Sequence, residues 1–236
     1  KVSTRFMDKF KAFQNINVES NNIGKLIGLA IKDDYYYFRN MAFQYLAEMS
    51  DVNNYQSTIV DKAINDPHSQ VRQSAISLLN VISYDKKAEL LDKILAKEKA
   101  YNVIGAALTQ LNEIDQIKGL EYAKLFSEEN NSSLDINIAS IFSTQQDVKY
   151  NEWYAKKVGK HDINFLYELC GFYNIYLLNQ QEQKINSAIE YYSSLALDQS
   201  VNRYRRFICT ASLVSLKNLL MSHTSNKSIN TNVLSK

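Results

Sequence analysis

The stretch "DDYYYFRNMAFQYL", residues 33–46, returns 33 residues later as "DPHSQVRQSAISLL", residues 66–79. Asp33 falls on Asp66, Arg39 on Arg72, Ala42 on Ala75 and Leu46 on Leu79. A further 32 residues on, "EKAYNVIGAALTQL", residues 98–111, keeps the pattern in part. Glu98 takes the acid's place, Ile104 the arginine's, Ala107 the alanine's and Leu111 the leucine's. Three further columns agree: Phe38, Val71 and Val103; Met49, Ile82 and Ile114; and, upstream, Leu26, Ile59 and Leu91.

The spacing within each copy is helical. Phe38, Ala42, Tyr45, Leu46 and Met49 share one side of a helix with 3.6 residues per turn, as do Val71, Ala75, Leu78, Leu79 and Ile82. A second amphipathic stretch precedes each acid, "IGKLIGLAIK" and "STIVDKAIN". Each unit therefore reads as helix, tight turn, helix, with helices expected over 26–32, 38–49, 58–65 and 68–82. Asp66 is expected to cap the second helix, with Pro67 at its first position. Neither helix of such a pair can bury its stripe alone, so the pairs must stack.

Periods near 33 admit several helical solenoids. The T-P-L-H turn of ankyrin units and the Trp, Gly, Tyr and Pro landmarks of tetratricopeptide units are missing. An acid at the turn, a hydrophobe–Arg pair, then Ala and Leu on the second helix resembles the HEAT repeat, in a shorter form. The expected fold is all-α, a HEAT-like α-α superhelix over residues 1–221, followed by a polar tail over 222–236. The arginines are placed to reach turn acids or carbonyls and tie successive units together. Downstream the signature decays. "NSSLDINIASIF" keeps Ala139 alone, and "RFICTASLVSL" returns Arg206, Cys209, Leu213 and Leu216 to the columns. Five to six helical pairs result, preceded by a helix with Phe6, Phe10 and Phe13 on its apolar side.

Composition agrees with helices. The chain is 45% apolar, enough for a sizeable core, yet has six Gly and one Pro, few for turn-rich β or α/β folds. The net charge of +2, with both signs interspersed, gives no electrostatic case for nucleic acid or a membrane surface. No apolar run is long enough to span a bilayer, and no signal peptide is visible. Lys1 is not an initiator methionine, so the chain is expected either to start after processing or to be cut from something longer.

Chemistry-bearing patterns are scarce. His68, His161 and His223 have no second metal ligand at helical spacing, and Cys170 and Cys209 show no metal or redox spacing. Whether the two cysteines pair is left open. There is no H-E-x-x-H, phosphate loop, dinucleotide fingerprint or nucleophile elbow. Catalytic and metal-binding residues are therefore expected to be none, and so are cofactors in this chain. The structural positions are Asp33, Arg39, Ala42, Asp66, Arg72, Ala75, Ala107 and Arg206. Two surfaces remain as contact candidates. Tyr35, Tyr36 and Tyr37 fill the turn-to-helix slot, where a structural corner is favoured over a partner surface. In "RYRR", residues 203–206, Arg203 and Arg205 are candidates for an anion or carboxylate, against a reading as solvated helix-start residues. The sixteen tyrosines, scattered along the chain, read as helix-packing rings with wet hydroxyls.

The order of segments adds one resemblance. "AIKDDYYYFRNMAFQYL", "AINDPHSQVRQSAISLL", "AYNVIGAALTQL", "AKLFSEENNSSLDINIASIF" and an arginine-bearing last unit, over roughly residues 1–220, resemble the C-terminal helical region of bacterial zinc aminopeptidases of the aminopeptidase N family. The resemblance implies a parent enzyme that removes N-terminal residues from peptides with one zinc ion held in a separate, N-terminal catalytic domain. No position here matches that domain's motif, so no catalytic residue carries over. It implies that this chain packs on the catalytic domain of the same polypeptide and limits the access of peptides to its cleft. The competing expectations are a free-standing HEAT-like scaffold for protein–protein contacts and, less favoured, an enzyme with an unfamiliar site.

Overall fold

The computed structural model describes residues 6–14 and 23–222. Of the expected tail, residues 223–236 lie outside them, and Ser222 is the last residue of a helix. The described residues form helices and turns, with no strand among them. The chain divides into two compact units, one ending at Asp115 and one beginning at Gln116, within the stretch read from sequence as one repeat domain.

The first unit holds α1 (Phe6–Gln14), α2 (Ile23–Ala30), α3 (Tyr36–Leu46), α4 (Gln56–Asn65), α5 (Ser69–Ser77), α6 (Lys87–Leu95) and α7 (Tyr101–Ile114). Short 3₁₀ turns at 52–55 and 78–80 flank α4 and α5. Helices α2, α4 and α6 pack on α3, α5 and α7 respectively, and α5 packs between α3 and α7. The repeat columns are the reason. Phe38, Val71 and Val103, with Leu46, Leu79 and Leu111, are all fully buried. Burying each of these large side chains contributes about 1.5–3 kcal/mol.

Ala42, Ala75 and Ala107 are completely buried between neighbouring helices of that row. A methyl group there lets the helices approach closely. Ala75→Leu should overpack the row and cost about 1–3 kcal/mol; an unchanged urea midpoint would remove the small column from the packing argument.

Helix ends differ from the periodicity in a consistent way. Helices α3 and α5 stop at Leu46 and Ser77, and the column of Met49, Ile82 and Ile114 lies at or beyond the helix ends. Ile82 is still buried, Met49 half-buried and Ile114 exposed. Asp66 is not the N-cap of α5. His68 occupies that position and its ring accepts from the Gln70 amide, while Pro67 precedes the cap. The carboxylate of Asp66 is engaged elsewhere, as described below.

The second unit holds α8 (Gln116–Phe126), α9 (Ser132–Phe142), α10 (Lys149–Lys160), α11 (Ile163–Leu177), α12 (Glu182–Leu197) and α13 (Arg203–Ser222). Helices α8, α10 and α12 pack on α9, α11 and α13, and α11 packs between α9 and α13. Tyrosines take much of the core. Tyr154, Tyr173, Tyr176 and Tyr192 are almost wholly buried. Their hydroxyls are not wet. Tyr154 donates to the Ala139 carbonyl, Tyr176 to the Asp147 carbonyl and Tyr173 to Asn151 Oδ1. Half-buried Tyr191 reaches the Ala155 carbonyl, passing so close to Gly159 that a Cβ there would meet the hydroxyl at 2.6 Å. Burial pushes these phenols up, Tyr176 to about 12, so they remain donors. Cys170 and Cys209 are buried free thiols, and burial raises both, Cys209 to about 12.

Candidate functional site

The repeated acids build a repeated corner. Asp33 accepts from the Tyr35 amide, Asp66 from the His68 amide and Glu98 from the Ala100 amide, and the second helix begins one residue later each time. These side-chain-to-backbone bonds turn the chain sharply without glycine.

The arginines then close each corner in two directions. Arg39 donates through Nη1 to the Asp33 and Asp34 carbonyls, and Arg72 through Nη1 to the Asp66 carbonyl. Arg39 also grips Asp66 of the next unit through Nε and Nη2, both at 2.9 Å. Arg72 grips Glu98 in the same way at 2.9 and 3.0 Å. Upstream, Lys9 of α1 supplies the cation for Asp33 at 2.5 Å. Three successive acids are thus each bound by a cation from the helix before the one that leads into the acid's turn. The series stops at Glu98, because Ile104 stands where the next arginine would be.

Asp66 is essentially inaccessible, and Arg39 is 7% exposed. Burial alone would raise the Asp66 carboxyl. The Arg39 bonds, the His68 amide and the charges of Arg39 and Lys62 outweigh it and hold the group below its usual 3.8. Glu98 is likewise held below its usual 4.5, where Arg72 and two backbone amides overcome burial. Both folded values are depressed, so the stability they contribute is full above the unfolded values. It should be lost as pH falls through and below about 4. Urea midpoints measured between pH 7 and pH 2.5 should fall across that window, and less steeply in Asp66→Asn; parallel profiles would remove this linkage.

Tyr35, Tyr36 and Tyr37 stand at the first corner, each more than a third exposed. Phe6 of α1 meets Tyr35, Tyr37 and Phe38, Phe10 meets Tyr37, and the Lys9 ammonium lies 5.3 Å from the Tyr35 ring centroid. Tyr36 stacks on His68 with ring centroids 3.5 Å apart. The corner therefore packs one side of its rings against α1 and the next turn, and leaves the other side as an aromatic surface.

The "RYRR" residues do not converge on one site. Arg205 reaches back across the second unit to the Val158 and His161 carbonyls at the end of α10. Arg206 donates to Gln199 Oε1 in its own turn, and its Nε is buried without a partner. Arg203 lies over the Tyr204 ring and donates to its hydroxyl. Arg205, rather than Arg206, is the residue that ties one corner to another.

Sequence periodicity passed over one charged group. Asp135 on α9 stands in the column of Phe38, Val71 and Val103, where a hydrophobe is the norm. It is buried and pairs with Lys157 of α10 at 2.6 Å. Lys157 also donates to the Glu129 carbonyl, and His161 Nε2 lies 3.4 Å from Asp135. A charged residue on an otherwise apolar stripe was the available signal. Asp135 and His161 do not make a zinc site, because the third neighbour is an ammonium ion. Among the described residues no group of three or more His, Cys, Asp and Glu is placed to hold a metal ion. No helix among them is long and apolar enough to cross a membrane.

Comparison of the chain with protein-family models gives no matching family, and comparison with curated proteins gives no significant match.

Proposed function

We propose that this chain is the non-catalytic, C-terminal helical domain of a zinc aminopeptidase, packed on the catalytic domain of the same polypeptide and limiting which peptides enter its cleft. The supporting observation is the chain of cation–acid bonds. Arg39–Asp66 and Arg72–Glu98 lie in the very segments through which the resemblance to aminopeptidase N runs. They fix successive helix pairs of the first unit to one another, which suits a wall whose work is steric. Zinc belongs, in this reading, to the missing catalytic domain. The half-exposed aromatic corner at residues 35–37 favours a second reading, a free-standing scaffold that holds a partner there.

The purified chain should neither bind zinc tightly nor hydrolyse an alanyl-anilide, with or without added zinc. Joined to its natural N-terminal portion, it should leave short peptides as substrates and exclude bulky ones; deleting it should widen the substrate range. Zinc-dependent turnover abolished by a substitution within residues 1–236 would overturn the non-catalytic reading. A gene without an H-E-x-x-H domain upstream of Lys1 would favour the scaffold.

A further inference from the structure

In the second unit α13 packs on α11 and α12 and leaves one side open. Phe207 is 70% exposed, Val214 57% and Met221 68%. They recur every second helical turn, so they lie on one line along the helix. Exposed Thr210 and half-buried Lys217 stand between them, and Arg203 and Arg206 flank the start of the line.

The repeat columns say what kind of element belongs on that side. Arg39 and Arg72 each bind the acid in the next unit's turn, so their column faces the helix pair that follows. Phe43 and Ile76, one turn further on, face the same way and are buried where α5 follows α3 and α7 follows α5. On α13 these two columns hold Arg206 and Thr210. Thr210 is exposed and Arg206 half-buried, and no helix among the described residues covers them. Arg206 donates to Gln199 Oε1, and its Nε has no hydrogen-bond partner. Asp198, in the turn before α13, is bonded by Ser200.

Charge then selects the occupant. Helix α13 carries Arg203, Arg205, Arg206 and Lys217 and no acid. Arg205 is spent on the carbonyls at the end of α10, and the other three border the open line. A second copy of the chain seated here would set cation against cation in either helix direction. A helix whose apolar stripe is bordered by carboxylates satisfies the exposed hydrophobes and the cations together.

We propose that the open side of α13 is a docking surface for an acidic amphipathic helix of a partner protein, seated where the following helix pair sits in the first unit. Its apolar stripe covers Phe207, Val214 and Met221, and its carboxylates pair with Arg203, Arg206 and Lys217. This surface lies wholly within the second unit and stands independently of the aminopeptidase reading.

The test is titration of the full 236-residue chain with an acetylated, amidated helical peptide of leucine, alanine and glutamate, as long as α13 and with its leucines in one stripe. NMR of the α13 backbone amides is the readout. Saturable shifts centred on residues 207–221 are expected, weakening as salt is raised. The same peptide with lysine in place of glutamate should bind about tenfold more weakly or worse. Phe207→Ser with Val214→Ser alters only exposed side chains, and should weaken binding of the glutamate peptide by about tenfold. Lys217→Glu should weaken the glutamate peptide and strengthen the lysine one. No saturable shift, equal affinity for the two peptides, or unaltered affinity in the folded Phe207→Ser, Val214→Ser variant would overturn the proposal. So would shifts of the same amides on concentrating the chain alone, which assign the side to a second copy, or on deleting residues 223–236, which assign it to the chain's own end. Shifts with phosphatidylserine vesicles but not with peptide would overturn it in favour of a membrane surface. Should a variant fail to fold, the comparison of the two peptides on the unmodified chain still decides.

Discussion

Asp66→Ala should lower the unfolding free energy of the first unit by about 3–5 kcal/mol, the scale for stripping one partner from a buried ion pair. The size follows from what remains. Arg39 is 7% exposed and would keep its bonds to the Asp33 and Asp34 carbonyls, but its positive charge would face a dry corner without an anion. The His68 amide would lose its acceptor as well, so the turn into α5 would loosen. The double variant Asp66→Leu, Arg39→Met should recover much of the loss, because it removes the desolvated charges together. Lys93→Ala, which breaks a fully exposed pair with Glu89, should leave the urea midpoint unchanged. A shift in Asp66→Ala no larger than that of Lys93→Ala would show that the corner is not held by this bond.

Lys157→Met should cost a similar amount, about 3–5 kcal/mol, in the second unit. There the orphan is an anion: Asp135 would be left buried on α9, with His161 Nε2 at 3.4 Å as its neighbour. The Glu129 carbonyl would lose its donor too. Hydrogen exchange of α9 and α10 amides reads this unit separately from the first. Asp135→Leu combined with Lys157→Met should restore most of the protection, giving a strong coupling in the double-mutant cycle. Strictly additive losses would mean that the two side chains act independently and that the short contact carries little energy.

The helix-turn-helix units of the first half, the columns of Phe38, Ala42 and Leu46, and the placement of acids and arginines at the turns are legible in the residues alone. They are so because a helical period and a repeat of about 33 residues leave the same residue types at the same offsets, and local chemistry at each offset is the same. Helix existence was legible, while helix ends were not. Asp66 looks like a cap from its neighbours in the chain, but its carboxylate is drawn to Arg39, 27 residues away, and the capping place passes to His68. The tyrosine corner was legible as a corner, yet its stacking on α1 and on His68 needed the helices in place.

In the second half the repeat fades, and the contacts follow from how the helices dock. Asp135 stands out in the sequence as a charge on an apolar stripe, but nothing there pairs it with Lys157 and His161, which meet it because α9 and α10 bring them together in the buried interior. Arg205 and Arg206 are adjacent in sequence and alike in chemistry. A helix turns about 100° per residue, so one faces the end of α10 and the other its own turn. The tyrosine hydroxyls follow the same logic: a ring that packs between helices carries its hydroxyl to whichever carbonyl the neighbouring helix or connection presents, and that partner is fixed by how the helices dock, a relation between segments distant in sequence that no local pattern encodes.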